Sequence, residues 1–118
     1  MIARLWRGVA VGGNAEAYER HAATKVFPAL RDIAGHRGSY LLKRVVGGRT
    51  EFLAMTLWES IDAIRAFAGA DPETAVVEPE ARAVLAEFDD VVRHYEIAYD
   101  GVSLPPGGAP ARARARGA

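Results

Sequence analysis

The stretch Thr50 to Trp58 constrains this chain more than any other. Its alternation puts Leu53, Met55 and Leu57 on one side and Phe52, Ala54, Thr56 and Trp58 on the other. Successive side chains of an extended strand point to opposite faces, so a strand that is apolar on both has to be covered on both. That reading predicts a central strand, with helices of the same chain on one face and something else over the other. The remaining strands follow from weaker alternation. Ile2 to Val11 carries Ala3, Leu5 and Val9 on one face and Ile2, Arg4 and Trp6 on the other. Ser39 to Val46 gathers Tyr40, Leu42 and Arg44 on one face, then enters the central strand through Gly47-Gly48, a hairpin signal. Val91 to Tyr99 reads as the last strand.

Two helical regions separate these strands. Asn14 is a suitable N-cap with Glu16 in the first turn, where the helix dipole favours an acid. Ala15, Tyr18, Ala22, Val26, Ala29 and Ile33 then recur at helical spacing. Pro28 lacks a backbone donor and biases Phe27 away from helical angles, which predicts a kink or a short second helix. Gly35-His36-Arg37-Gly38 reads as a turn. Beyond the central strand, Ser60 caps a helix carrying Ile61, Ile64 and Phe67, and Gly69 ends it. Asp71 to Glu78 is irregular, and Pro79 opens a further helix with the stripe Ala81, Val84, Leu85 and Phe88. The order is β-α-β-β-α-β: an α+β, ferredoxin-like fold with a four-stranded antiparallel sheet and helices on one face. Its far face is left apolar and bare. The simplest cover is a second copy, so the chain is expected to form a homodimer through its sheet faces.

Composition narrows the function classes. With 118 residues, half of them apolar, the chain has room for one domain with a packed core. It has no cysteine, which excludes disulfides, a thiolate nucleophile and Cys-ligated zinc or iron–sulfur sites. Residues 1–100 carry all 15 acids and 12 of the 15 basic residues and form the expected domain. Residues 101–118, rich in Pro, Gly, Ala and Arg, read as a flexible extension. Its Arg112, Arg114 and Arg116 are too small a basic excess for a phosphate-reading surface, so no nucleic-acid partner is expected. Apolar runs are far shorter than the roughly 20 residues of a membrane helix. Arg4 and Arg7 interrupt the first apolar stretch, which argues against a signal peptide. A cytoplasmic protein without membrane contact is the expectation.

The candidate site residues are aromatic or titratable. Trp58, at the end of the central strand, either walls a pocket between sheet and helices, stacking on a planar ligand, or packs as core with its N–H on a carbonyl. Trp6 and Tyr40 would share that pocket if both faced the helices, and with Phe67 they would give the mostly apolar cavity usual for small molecules. His21 borders the first helical stripe, as a general base or as a core-edge residue. His36 falls in a turn and His94 on the last strand. No pair of histidines has metal-ligand spacing, so no metal is expected. Arg82 either holds a substrate oxygen that becomes negative or pairs with Glu78 along the helix.

Taken together, residues 1–99 resemble the antibiotic-biosynthesis-monooxygenase-like proteins of the dimeric α/β-barrel superfamily. The resemblance rests on Met1 to Arg7, the helix around Tyr18 to Leu30, the turn at Gly35 to Gly38, and above all Phe52 to Ser60 with its Trp58-Glu59-Ser60 junction. It implies a cofactor-independent monooxygenase that oxidises an electron-rich aromatic such as a phenol, hydroquinone or anthrone with O₂, Trp58 lining the pocket. In this scheme Trp6 and Trp58 hold the ring, His21 or the substrate's own acidity handles the proton, and Arg82 or Tyr40 steadies the oxyanion. The same fold also serves non-catalytic small-molecule-binding or structural dimers. Haem-degrading relatives carry an iron-ligating His where this chain has Phe67-Ala68-Gly69-Ala70, and a strand-one Asn where it has Leu5-Trp6-Arg7. The monooxygenase branch commonly has an Asn at the position of Ala54.

Overall fold

A computed structural model describes residues 1–102 of the protein. The extension expected from residue 101 onward therefore lies, for residues 103–118, outside the described residues. The elements are β1 (Ile2–Val11), α1 (Asn14–His21), a π-helical turn (Ala22–Val26), α2 (Phe27–Leu30), β2 (His36–Val46), β3 (Arg49–Trp58), α3 (Ile61–Ala68), α4 (Pro79–Val84), β4 (Glu87–Phe88) and β5 (Arg93–Glu96). The sheet is antiparallel in the order β2-β3-β1-β4, with β5 also pairing β1. This is the expected ferredoxin-like arrangement, and β3 is flanked on both sides as its two apolar faces require.

Several local expectations need correction. The expected last strand is confined to β5, and β4 forms where the helix stripe was expected to continue to Phe88, so the sheet has five strands and not four. β4 pairs Gly8 and Val9, and β5 pairs Ile2 through Leu5. Between them, Thr74 bridges Val91, and Val92 N donates to Glu73 O. The loop after α3 thus draws residues 90–92 away from β1. The helix at Pro79 stops at Leu85, which is extended (φ −95, ψ 133). Sheet pairing takes over there: Ala86 N donates to Val9 O, and Asp89 N to Arg7 O. Phe88 is consequently a strand residue. Gly13, not Asn14, occupies the N-cap of α1, and no side chain caps it.

Pro28 acts one turn ahead of itself. Phe27 keeps helical angles, and its N–H reaches Ala22 O across a wide π-turn. An inserted residue of this kind relieves the clash between a proline ring and the carbonyl four residues earlier. Ser60 does cap α3, accepting from Ala63 N at 3.2 Å. Gly35, at φ +89, lies so close to α3 that a Cβ there would meet Ala63 Cβ at 2.4 Å. β2 starts earlier than expected, at His36, with a bulge between His36 and Gly38.

The core forms two clusters under the helices. One joins Ala10, Tyr18, Ala22, Phe52, Ala81 and Leu85; the other joins Leu30, Trp58 and Ile64. Full burial of a side chain the size of Phe52 or Ile64 stabilises the fold by about 1.5–3 kcal/mol. Phe27 packs against both clusters.

Candidate functional site

The interval between the two clusters is set by β3. Its covered face reads Phe52, Ala54, Thr56, Trp58, with the large side chains at the ends. The small ones in the middle leave the layer between sheet and helices unfilled. The result is a cavity of about 150 Å³. Its walls include Trp6, Tyr18, Phe27, Leu30, Ala54 and Phe67. Cross-strand register explains the company, since Trp6 sits opposite Ala54 and Arg4 opposite Thr56. Gly8 helps place the indole: a Cβ there would lie 2.8 Å from Trp6 Cη2.

The structure divides the candidate residues. His21, Trp6 and Phe67 border the cavity. Trp58 does not. It is fully buried, with its ring 5.6 Å from Phe67 at an interplanar angle of 22° and His36 at its edge. Its N–H donates to Thr56 Oγ1 at 2.8 Å. Trp58 therefore backs the wall that Phe67 forms, the packed-core alternative of its two readings, with its N–H on a hydroxyl in place of a carbonyl. Tyr40 lies on the opposite sheet face. It is opposite Met55, 49 % exposed, and borders an open groove with Ala3, Met55 and Leu57. The odd–even choice fails there because alternation within one strand does not say which face its neighbours share; pairing does. Leu41 of β2 packs on the covered side. Arg82 is exposed, its Nε donates to Val77 O at 3.1 Å, and its guanidinium rests 5.2 Å from the Phe88 ring centroid. It does not line the cavity, and among the described residues it makes no ion pair with Glu78.

The polar groups at the cavity are few. His21 Nε2 is buried without a hydrogen-bond partner, although Glu78 Oε1 lies 3.2 Å away; Nδ1 lies 3.8 Å from Glu80 Oε1. The donor atoms of His21, Glu78 and Glu80 fall within 4.8 Å of one another, which is compatible with a divalent ion as well as with proton transfer. Spacing along the sequence did not reveal this trio, because α1 and the entry to α4 meet only in the fold. Burial pushes the Tyr18 phenol up to about 12, so it stays neutral and can donate. Trp6 N–H is already committed to Asp89 O at 2.7 Å, leaving only its ring for a guest. Thr56 accepts from Trp58, so its own hydroxyl proton is available to the cavity.

Arg4 was passed over in the sequence. It is 4 % exposed and lines the cavity from β1. Its guanidinium donates to Pro72 O and to Thr74 O at 2.9 Å, and lies 3.0 Å from His94 Nε2. Burial lowers it to about 10, still protonated at neutral pH. Since arginine only donates, Nε2 accepts and His94 is neutral there. Burial, then the Arg4 charge, hold His94 below the ordinary imidazole range, against a smaller opposing pull from Glu73. The legible signal was position: Arg4 shares a strand face with Ile2 and Trp6, where a charge is out of place.

An α+β ferredoxin-like sheet with an aromatic-walled cavity beneath its helices is the class this fold and site define. No protein-family model and no curated protein sequence matches the chain. Solved structures do. The haem degrader MhuD from Mycobacterium tuberculosis, solved with two haems in its active site, superposes with a TM-score of 0.58 at 23% identity, over 85% of this chain and 98% of that one. A candidate antibiotic biosynthesis monooxygenase from Bacillus cereus gives 0.61 at 13% identity, over 88% and 97%. Another, from Deinococcus radiodurans, gives 0.57 at 13%, over 89% and 99%. The chain thus has the fold of the antibiotic-biosynthesis-monooxygenase-like structures, as its Phe52 to Ser60 stretch implied. A tetrapyrrole would have to extend well out of a void of about 150 Å³, and both ring nitrogens of His21, the imidazole at that void, are turned to carboxylates. Among the described residues no helix is long and apolar enough to cross a membrane.

Proposed function

We propose that the protein is a cofactor-independent monooxygenase acting on an electron-rich aromatic, a phenol, hydroquinone or anthrone. One observation carries the reading: an apolar cavity walled by Trp6, Phe67 and Tyr18 with the buried His21 imidazole at its edge. Such rings need little from a protein. Once deprotonated, a phenol can itself deliver electrons to O₂. Conversion of a phenol to a quinone puts one oxygen atom on a ring carbon and releases the other as water, with all four electrons coming from the substrate. No outside reductant is required.

The chain's own contribution is to desolvate, orient and take the proton. Trp6 and Phe67 hold the ring. His21 receives the phenolic proton, and the Glu78 carboxylate beside it stabilises the imidazolium that forms. Trp58 keeps Phe67 in place. The open sheet face, with Tyr40, Leu42, Met55 and Leu57, pairs with a second copy to give a homodimer. Similarity of fold to monooxygenase structures supports this reading at the level of architecture.

The test is oxygen uptake by metal-free protein with a panel of hydroquinones, against His21→Gln. Uptake above the uncatalysed rate that drops in the variant supports the oxygenase. Ligand-induced stabilisation without uptake points to a binding module of the same fold.

A further inference from the structure

We propose that Arg4 makes the cavity a receptor for a one-ring aromatic anion, the ring lying between Trp6 and Phe67 and its negatively charged oxygen against the guanidinium. The inference rests on the cavity being the ligand site and adds to it the charge and size of the guest.

Charge comes first. Arg4 is the buried cation of the cavity, and every acceptor it meets among the described residues is neutral: two backbone carbonyls and an imidazole. None of the ion pairs among those residues includes it. A buried charge without a counter-ion is costly to hold. The acids nearby are placed elsewhere: Glu78 sits beside His21, and Glu73 acts on His94. The three contacts use Nη1 and Nη2, and among the described residues no group accepts from Nε. An anionic oxygen arriving from the cavity would supply the missing charge and a charge-assisted hydrogen bond. The guanidinium also lies 5.6 Å from the Phe67 ring centroid, so ring and charge subsites adjoin.

Size comes second. An apolar cavity of about 150 Å³ takes up benzene, and this one measures about 150 Å³. A single ring fits, and a tricyclic anthrone would have to extend out of the cavity. Glu78 at the edge repels an anion there, so the charged oxygen points inward to Arg4, and in a hydroquinone it is the second hydroxyl that faces His21 and gives up its proton there.

The anionic oxygen is a carboxylate or a phenolate, and two arms separate them. In the first, benzoate and its neutral isostere benzamide are titrated against the full chain, followed by Trp fluorescence and melting temperature. Benzoate should bind about tenfold or more tightly than benzamide. In the second, 4-nitrophenol is titrated with pH in the presence and absence of protein. Its yellow phenolate band should persist in the complex to about one pH unit below its appearance in solution. An apolar cavity lacking the cation would shift it the other way. Success in the first arm alone identifies a carboxylate, and success in the second a phenolate. Arg4→Gln should retain benzamide binding and lose both effects. Should that variant fail to fold, the wild-type comparisons decide alone. Equal binding of benzoate and benzamide, together with an unshifted or raised nitrophenol, overturns the proposal. Neither arm uses O₂. Anion preference without oxygen uptake upholds this site while the oxygenase reading fails, and uptake without anion preference does the reverse.

Discussion

The two faces of β3 are built from similar residues and do different things. On the covered face, Phe52 and Trp58 are completely buried and each anchors a core cluster, with Ala54 and Thr56 spanning the gap between them. On the other face, Leu53, Met55 and Leu57 remain partly exposed beside Tyr40 and Leu42. The first face combines large and small side chains under a helical layer, and packing the large ones leaves a void at the small ones. The second has no layer above it, so its apolar residues form a surface and not a cavity. Hydrophobicity alone does not distinguish a binding pocket from an interface. Size order along the strand and the presence of a lid do.

The largest effect should come from breaking the covered face at its anchor. Trp58→Ala removes a fully buried ring and leaves Thr56 and Phe67 without support, and should cost about 3–5 kcal/mol in denaturant unfolding. A loss under about 1 kcal/mol would mean that the two clusters do not depend on Trp58. Filling the gap should be milder on stability but severe on binding. Ala54→Leu places a branched side chain in the void and should abolish ligand-induced rises in melting temperature. Undiminished stabilisation would put the ligand elsewhere.

The other face is tested by charge. Tyr40→Glu combined with Leu42→Glu should leave the circular dichroism unchanged and convert a dimer to a monomer in sedimentation. A wild-type monomer at micromolar concentration would remove the second copy from the account altogether.

A smaller effect comes from pH. Burial holds both His36 and His94 below the ordinary imidazole range in the folded chain. Their neutral forms are thus favoured by folding, and protonation favours the unfolded chain. The stability they contribute is present above the unfolded value of about 6.5 and is lost as pH falls below it. The melting temperature should be lower at about pH 5 than at about pH 7.5, and His94→Gln, which keeps an acceptor for Arg4, should narrow the difference. An unchanged difference would show that His94 is not part of the coupling. Smallest of all, removing residues 103–118, in which Leu104 is the one large apolar side chain, should leave the melting temperature unchanged within error.

Much of the fold was legible because it depends on local rules. Period-two alternation located β1 and β3 to within a residue, and Ser60 marked the start of α3. The last strand is shorter than Val91 to Tyr99 because residues 73–75 compete for its start, at 90–92, leaving Arg93–Glu96 to pair with β1. The site was half legible. Trp6, His21 and Phe67 were recognisable as aromatic or titratable residues near apolar stripes. Arg4 looked like an ordinary strand residue, and the approach of Glu78 and Glu80 to His21 joins segments far apart in the chain.

By itself the sequence determined that β3 would be central, that helices would cover one face of the sheet, and that Cys-based chemistry was excluded, because these follow from side-chain type and spacing along the backbone. Tertiary structure alone decided which face Tyr40 would take, that Trp58 would stand behind Phe67, and that a buried arginine would meet an aromatic cavity. Those outcomes depend on strand register and on which volumes remain unfilled when distant segments pack, and neither is a property of any single stretch of chain.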